Sequence, residues 1–186
     1  AFPFNCPECE TELIKLESEA NFFCPNKNNC RPQAIGRIQH FASRKALNID
    51  GLGDETIALL YDKGHIIDVS DIYNLDYEAI SNIEGHAKKS IENLSKGIEE
   101  SKSKSFQKVL YGLGIRYVGE SASKTILKQI KSIDELISLD IESLSSIDEI
   151  GDKTASSIVD FFKNNENLSI VNRLKLSGLN FTKDKL

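Results

Sequence analysis

Asn48-Ile49-Asp50-Gly51-Leu52-Gly53-Asp54-Glu55-Thr56-Ile57 reads as a helix that ends in a glycine hairpin and restarts at once as another helix. Gly51 and Gly53 suit a turn that needs positive φ and lets another molecule approach bare backbone. Asp54 follows the second glycine, where it is expected to cap the new helix. Such a turn aims free amide N–H groups, and the positive end of the next helix, at whatever lies in front, which suits a phosphate. Gly-x-Gly between helices is often only a connection, so one copy decides little.

The pattern recurs. Ile83-Glu84-Gly85-His86-Ala87 precedes a helical run from Lys88 to Ser101, Arg116-Tyr117-Val118-Gly119 precedes Glu120 to Lys131, and Glu149-Ile150-Gly151 precedes Asp152 to Asn164. Aligned on Gly53, Ala87, Gly119 and Gly151, the copies are spaced by 34, 32 and 32 residues. A period of this size marks a repeated supersecondary unit, here helix–hairpin–helix four times over.

All four cysteines lie before the repeats. Cys6-Pro7-Glu8-Cys9 is followed by Cys24 after fourteen residues and Cys30 after five more. Two thiolate pairs supply the four positions of a closed, structural zinc site, with no open position for catalysis. Disulfides are the competing reading; the Cys-x-x-Cys start and the lack of a secretory signal favour zinc. Thr11 to Leu16 and Asn21 to Cys24 read as strands of a short hairpin, in a segment that needs such a staple. The fold class expected is therefore mainly α: a four-cysteine module with a β-hairpin over 1–33, four helix-hairpin-helix repeats over 34–180, and a frayed tail or linker over 181–186.

Apolar periodicity supports the helices. Ile35, Ile38, Phe41 and Ala42 form one stripe, Ile57, Leu60 and Tyr61 another, and Ile91, Leu94 and Ile98 the inner face of the long helix of the second repeat. Phe106, Val109 and Leu110 resume the period after the polar run Ser101 to Ser105, which reads as a loop between repeats. Ile158, Val159 and Phe162, then Ile170, Val171 and Leu174, complete the pattern. Ser132-Ile133-Asp134-Glu135 is a capping box.

The chain of 186 residues carries a net charge of −5, against a generic polyanion binder, but the charge is blocked. Lys27 to Ile49 holds five bases and no acid, Asp50 to Glu84 nine acids against Lys63, His86 to Lys131 ten bases against four acids, and Ser132 to Asp160 eight acids against Lys153. Alternating blocks can build a basic face on an acidic protein, or be no more than solvated helix surfaces. By this count turns two and three, with Lys88, Lys89, Arg116 and Lys124, are the firmest phosphate contacts. Turn one is entered through Arg37, Arg44 and Lys45 but exits into acid, and turn four contributes least, Lys153 being its one relief. Tyr117 could stack on a sugar, though an aromatic there is more often core. The longest apolar runs are too short to span a membrane. The start Ala1-Phe2-Pro3-Phe4 has no signal-peptide pattern, and with no Met anywhere a fragment is expected. No nucleophile–base spacing stands out, and His40, His65 and His86 read as surface or helix-end residues, so no catalytic residue is assigned.

His40-Phe41-Ala42-Ser43-Arg44-Lys45-Ala46, Ile49-Asp50-Gly51-Leu52-Gly53, Leu113-Gly114-Ile115-Arg116-Tyr117-Val118-Gly119 and the cysteine spacing resemble bacterial NAD-dependent DNA ligase, in its zinc-finger and helix-hairpin-helix domains. Ser177-Gly178-Leu179-Asn180-Phe181 is similar to that family's junction to a BRCT domain. The chain departs from the pattern at His86 and Ala87 and at Arg31-Pro32-Gln33. The resemblance implies a bacterial, cytoplasmic parent enzyme of DNA replication and repair that seals nicks through enzyme-AMP and DNA-adenylate intermediates, using NAD and Mg²⁺. It implies structural Zn²⁺ on Cys6, Cys9, Cys24 and Cys30. It also implies a monomer that grips nicked duplex DNA through Arg44, Lys45, Gly51, Leu52, Gly53, Gly85, His86, Ala87, Lys88, Lys89, Arg116, Tyr117, Val118, Gly119, Lys124, Gly151 and Lys153. The adenylation, OB-fold and BRCT domains of the same chain are its implied partners. The family's adenylated Lys-x-Asp-Gly lysine has no counterpart: the one Asp-Gly is Asp50-Gly51, with Asn48 in the lysine's place. This piece should therefore be inactive alone. A helix-hairpin-helix module of another repair protein, such as a nuclease, is the alternative.

Overall fold

The computed structural model describes residues 3–17, 19–83 and 85–183; Glu84 of the second turn and the last three residues of the expected tail lie outside the described residues. The N-terminal module has almost no core. Strands β1 (Ile14–Lys15) and β2 (Phe22–Phe23) pair antiparallel with Ile14 opposite Phe23, and a bridge joins Asn5 to Glu12. The strands are shorter than the sequence suggests because Cys6 and Cys30 are the module's buried apolar side chains, while Phe4, Leu16 and Phe22 stay exposed. With so little to bury, pairing is held at the cysteine end.

Helix α1 (Arg31–Ala42) begins on the residue after Cys30, with Pro32 in its first turn where no amide partner is lost. The boundary expected at 33/34 thus falls inside a helix, so the chain passes from the cysteine module into the repeats along α1. There follow α2 (Asp54–Asp62), a 3₁₀ connector η1 (Val69–Asn74), α3 (Tyr77–Ser81), α4 (Lys88–Ser101), α5 (Phe106–Gly112), α6 (Glu120–Gln129), α7 (Ile133–Ser138), α8 (Ile141–Ser145), α9 (Asp152–Lys163) and α10 (Asn165–Leu176). The four hairpin pairs are α1–α2, α3–α4, α5–α6 and α8–α9.

One contiguous core runs from Ile35 to Phe181. The chain closes on itself: α10 packs on α9 and on η1, and Arg173 reaches Asp71 at 2.6 Å and Asp68 at 3.4 Å. Residues 181–183 do not fray. Phe181 is buried against Phe106, its carbonyl accepts from the Ile133 amide, and the Lys183 amide donates to the Lys131 carbonyl. A phenylalanine with a core site available is what pulls this segment in. At Ser132 the hydroxyl accepts from the Glu135 amide, but Glu135 returns its carboxylate to the Lys131 amide, one residue before the position a capping box uses.

Candidate nucleic-acid interface and metal centre

Among the described residues the four turns share one backbone. Each opens on isoleucine, Ile49, Ile83, Ile115 and Ile147, whose carbonyl accepts from the amide three residues on, at Leu52, His86, Val118 and Ile150. The third residue of each has positive φ: Gly51 +85°, Gly85 +90°, Tyr117 +67° and Glu149 +69°. Only two of the four are glycine, although a left-handed backbone costs other L-residues on the order of 1 kcal/mol. Tyr117 and Glu149 are held there by contacts: the Tyr117 hydroxyl donates to Glu19, and Glu149 accepts from the Thr125 hydroxyl at 3.0 Å. In each copy the positive-φ residue stands two after the isoleucine and two before the last small residue, so either anchor gives the same alignment.

The helix that follows each turn is left uncapped. Its N-cap is Gly53, Ala87, Gly119 or Gly151, and no side chain bonds the first-turn amides of α2, α4, α6 or α9. Asp54 is the first helical residue rather than the cap. Of the other helices among the described residues only α1, entered from Cys30 with Pro32 in its first turn, also lacks a side-chain cap; η1, α3, α5, α7, α8 and α10 are each capped, from Asp68, Asp76, Ser105, Ser132, Asp140 and Asn164. Nor does the fold demand the small residues. Gly53, Gly119 and Gly151 have φ near −80°, open to any residue, and a Cβ added at any of them meets nothing within 4 Å. A cap side chain is absent where room and backbone would allow one. That combination keeps donor amides bare toward the outside.

Side chains sort differently from the sequence expectation. Leu52 and Val118 are buried, so these positions anchor the turn and can offer a partner only backbone, and His86 is half-buried. Lys88, Lys89, Arg44 and Lys124 are exposed, with no ion pair to another described residue. Lys45 lies 3.5 Å from Glu120. Turn one docks on α4: Gly51 packs on the Leu94 backbone, and Asp50 shares a recess with Lys89 and with the ion pair of Lys96 and Glu100, so Lys89 is the cation α4 adds to the acidic turn. Gly97 permits this approach; a Cβ there would fall 2.3 Å from the Asp50 carbonyl oxygen. Lys153, counted with turn four, has its ammonium 5.1 Å over the Tyr117 ring and so serves turn three. Arg116 is already engaged, 2.5 Å from Glu19 and flanked by the Phe23 and Tyr117 rings.

The four cysteine sulfurs lie within 4.8 Å of one another, Cys6 to Cys30 at 3.9 Å and Cys9 to Cys24 at 3.5 Å, and all four are free thiols. Tetrahedral zinc–thiolate bonds of about 2.3 Å place sulfurs roughly 3.8 Å apart. The donor set therefore fits a closed Cys₄ metal site, and the disulfide alternative is not realised. Thr11, through its hydroxyl and then its amide, brings the Cys9 thiol down to about 6, whereas desolvation pushes Cys24 up to about 11 and Cys30 up. Gln33, on the first turn of α1, donates to the Cys24 carbonyl and ties the second knuckle to the helix.

Residues 5–31 match the family described as NAD-dependent DNA ligase C4 zinc finger domain; 43–100 match a SAM-like helix-hairpin-helix tandem and 108–171 a helix-hairpin-helix motif. Curated relatives named DNA ligase include those of Flavobacterium psychrophilum, 51% identical over 96% of this chain and 27% of the relative, and Bacteroides fragilis, 48% identical over the same shares. That of Cytophaga hutchinsonii is 44% identical over 94% and 26%. The chain is similar to part of the DNA ligases, and its four-cysteine module to the zinc finger of the NAD-dependent ones. The chain spans about a quarter of the length of these ligases, and it corresponds to the zinc-finger and helix-hairpin-helix part. The two tandem matches divide the ligase repeats as the turns do, one and two in the first, three and four in the second. No helix among the described residues is long and apolar enough to cross a membrane.

Proposed function

We propose that this chain is the sequence-independent duplex-DNA grip of a DNA ligase. The observation that carries the reading is the set of four bare helix starts, each behind the same positive-φ turn. Amides there bind phosphate oxygens, and lysines beside them add counterion release. Main-chain contacts to phosphates hold no sequence information, so the duplex is read by shape, across the minor groove, as suits a nick in any context. Zinc on Cys6, Cys9, Cys24 and Cys30 is structural: it supplies the folding energy that the module's two-residue strands do not. The chain is a monomer whose nick-sealing chemistry, through enzyme-AMP and DNA-adenylate with NAD and Mg²⁺, belongs to adenylation and OB-fold domains of a longer bacterial, cytoplasmic enzyme, next to a BRCT domain. Without a Lys-x-Asp-Gly motif the chain alone forms no adenylate.

Titration of nicked duplex at several salt concentrations tests this. Two unrelated sequences should bind alike. Lys88→Ala/Lys89→Ala should weaken binding roughly tenfold or more and reduce the salt slope by about two. An unchanged slope would place the contact elsewhere, and affinity that depends on base sequence would refute the reading.

A further inference from the structure

The loop between β1 and β2 reaches across to the third turn and puts a carboxylate on it. One Glu19 oxygen accepts from the Tyr117 hydroxyl at 2.7 Å and lies 2.5 Å from the Arg116 guanidinium. That guanidinium stands 5.6 Å over the Phe23 ring and 5.1 Å over the Tyr117 ring, while Lys153 covers Tyr117 at 5.1 Å. The Ser157 hydroxyl donates to the Arg116 carbonyl at 2.7 Å, so α9 fixes the turn that presents these groups. Three elements far apart in sequence thus bring a guanidinium and a phenol onto one anion, with an ammonium over the phenol ring. The Glu19 side chain is only 16% exposed.

Two features argue that this is more than a strut. The donor set is the one that recognises a phosphate oxyanion: a planar fork, a hydroxyl and a point charge. The turn it belongs to is one of the four with bare amides, so the strongest cation of turn three is paired with a protein carboxylate while its backbone is left open. Resting on the DNA reading above, we propose that Arg116, Tyr117 and Lys153 form a phosphodiester site that Glu19 occupies in the free protein and that a backbone phosphate takes over on binding. The zinc module is then released from turn three as the duplex is engaged, which couples its position to DNA. The Tyr117 hydroxyl and the Arg116 guanidinium hold the Glu19 carboxyl below its ordinary value, so the occupant is an anion at neutral pH. The pair is open to solvent on its Arg116 side, 42% exposed, and ion pairs at the surface are weak, of the order at which a phosphate with further amide contacts can displace them.

The test uses the zinc-loaded chain and nicked duplex. Glu19→Gln should bind about two- to fivefold more tightly than wild type, the range expected for removing one exposed pair. Glu17→Gln, which removes the same charge from the same loop, should gain clearly less. The gain should vanish in an Arg116→Ala background, and the Arg116 side-chain N–H resonance of wild type should move on adding DNA toward its position in Glu19→Gln. The proposal is overturned if Glu19→Gln binds no more tightly than Glu17→Gln, binds more weakly than wild type, or keeps its gain without Arg116. If wild type shows no salt-dependent affinity for duplex, the DNA reading itself fails. In that case inorganic phosphate should still shift the Arg116 resonance more in Glu19→Gln than in wild type, and equal shifts would sink the proposal too.

Discussion

Turns two and three have the same backbone and opposite surroundings. Both open on isoleucine and hand over to an uncapped helix, at Ala87 and Gly119. Turn two obtains its positive φ from Gly85, has open space where a Cβ would be, and carries Lys88 and Lys89 exposed. Turn three obtains it from Tyr117, whose strain is offset by contacts to Arg116, Lys153 and Glu19. One positive-φ position is thus filled by glycine, with open space at its Cβ, and the other by tyrosine, packed against the zinc module. The geometry repeats while what surrounds it differs.

Removing the metal should separate the two most strongly. Zinc binding in such modules is worth on the order of 10 kcal/mol, and this one has little other core. Chelation should unfold the region around Cys6 to Cys30 and displace the resonances of Arg116 and Tyr117, while those of Gly85 to Lys89 stay; equal movement at both turns would erase the contrast. Gly97→Ala comes next. Its Cβ would collide with the Asp50 carbonyl, so turn one must lift off α4, the helix that turn two starts. We expect a loss of about 2 kcal/mol in thermal or denaturant unfolding, within the range of overpacking changes, and lower duplex affinity; an unchanged protein would mean that the turns are not braced on each other. The smallest effect is that of pH. Glu19 has a lowered folded value, so its contact is complete above the ordinary carboxylate range and is lost as pH falls through the lowered one. As pH falls through that lowered value the Arg116 N–H signal should titrate while the Lys88 and Lys89 amides move less.

Much of this was legible beforehand. The cysteine spacing announced the metal site, because ligands brought in by two knuckles leave a local signature. The period announced the four turns, and apolar stripes the helices. What escaped had a reason each time. Tyr117 and Glu149 did not advertise left-handed backbone, since the contacts holding them come from Glu19 and Thr125, far away in sequence. Lys153 was assigned to its neighbours in the chain rather than to Tyr117. Phe181 looked like tail because no local pattern reveals that Phe106 waits for it.

By itself, then, the sequence determined the parts: four thiols at metal spacing, four isoleucine-led turns at a period of 34, 32 and 32, and small residues at each helix start. These are local properties, set by φ, by amide direction and by the reach of a few residues. Tertiary structure alone decided which turns carry usable charge. It brought Lys89 to the acidic first turn, set Lys153 over the third, and laid Glu19 on Arg116. Electrostatics act through space over a few ångströms, so charge counted along the chain ranks the turns only until the fold rearranges their neighbours.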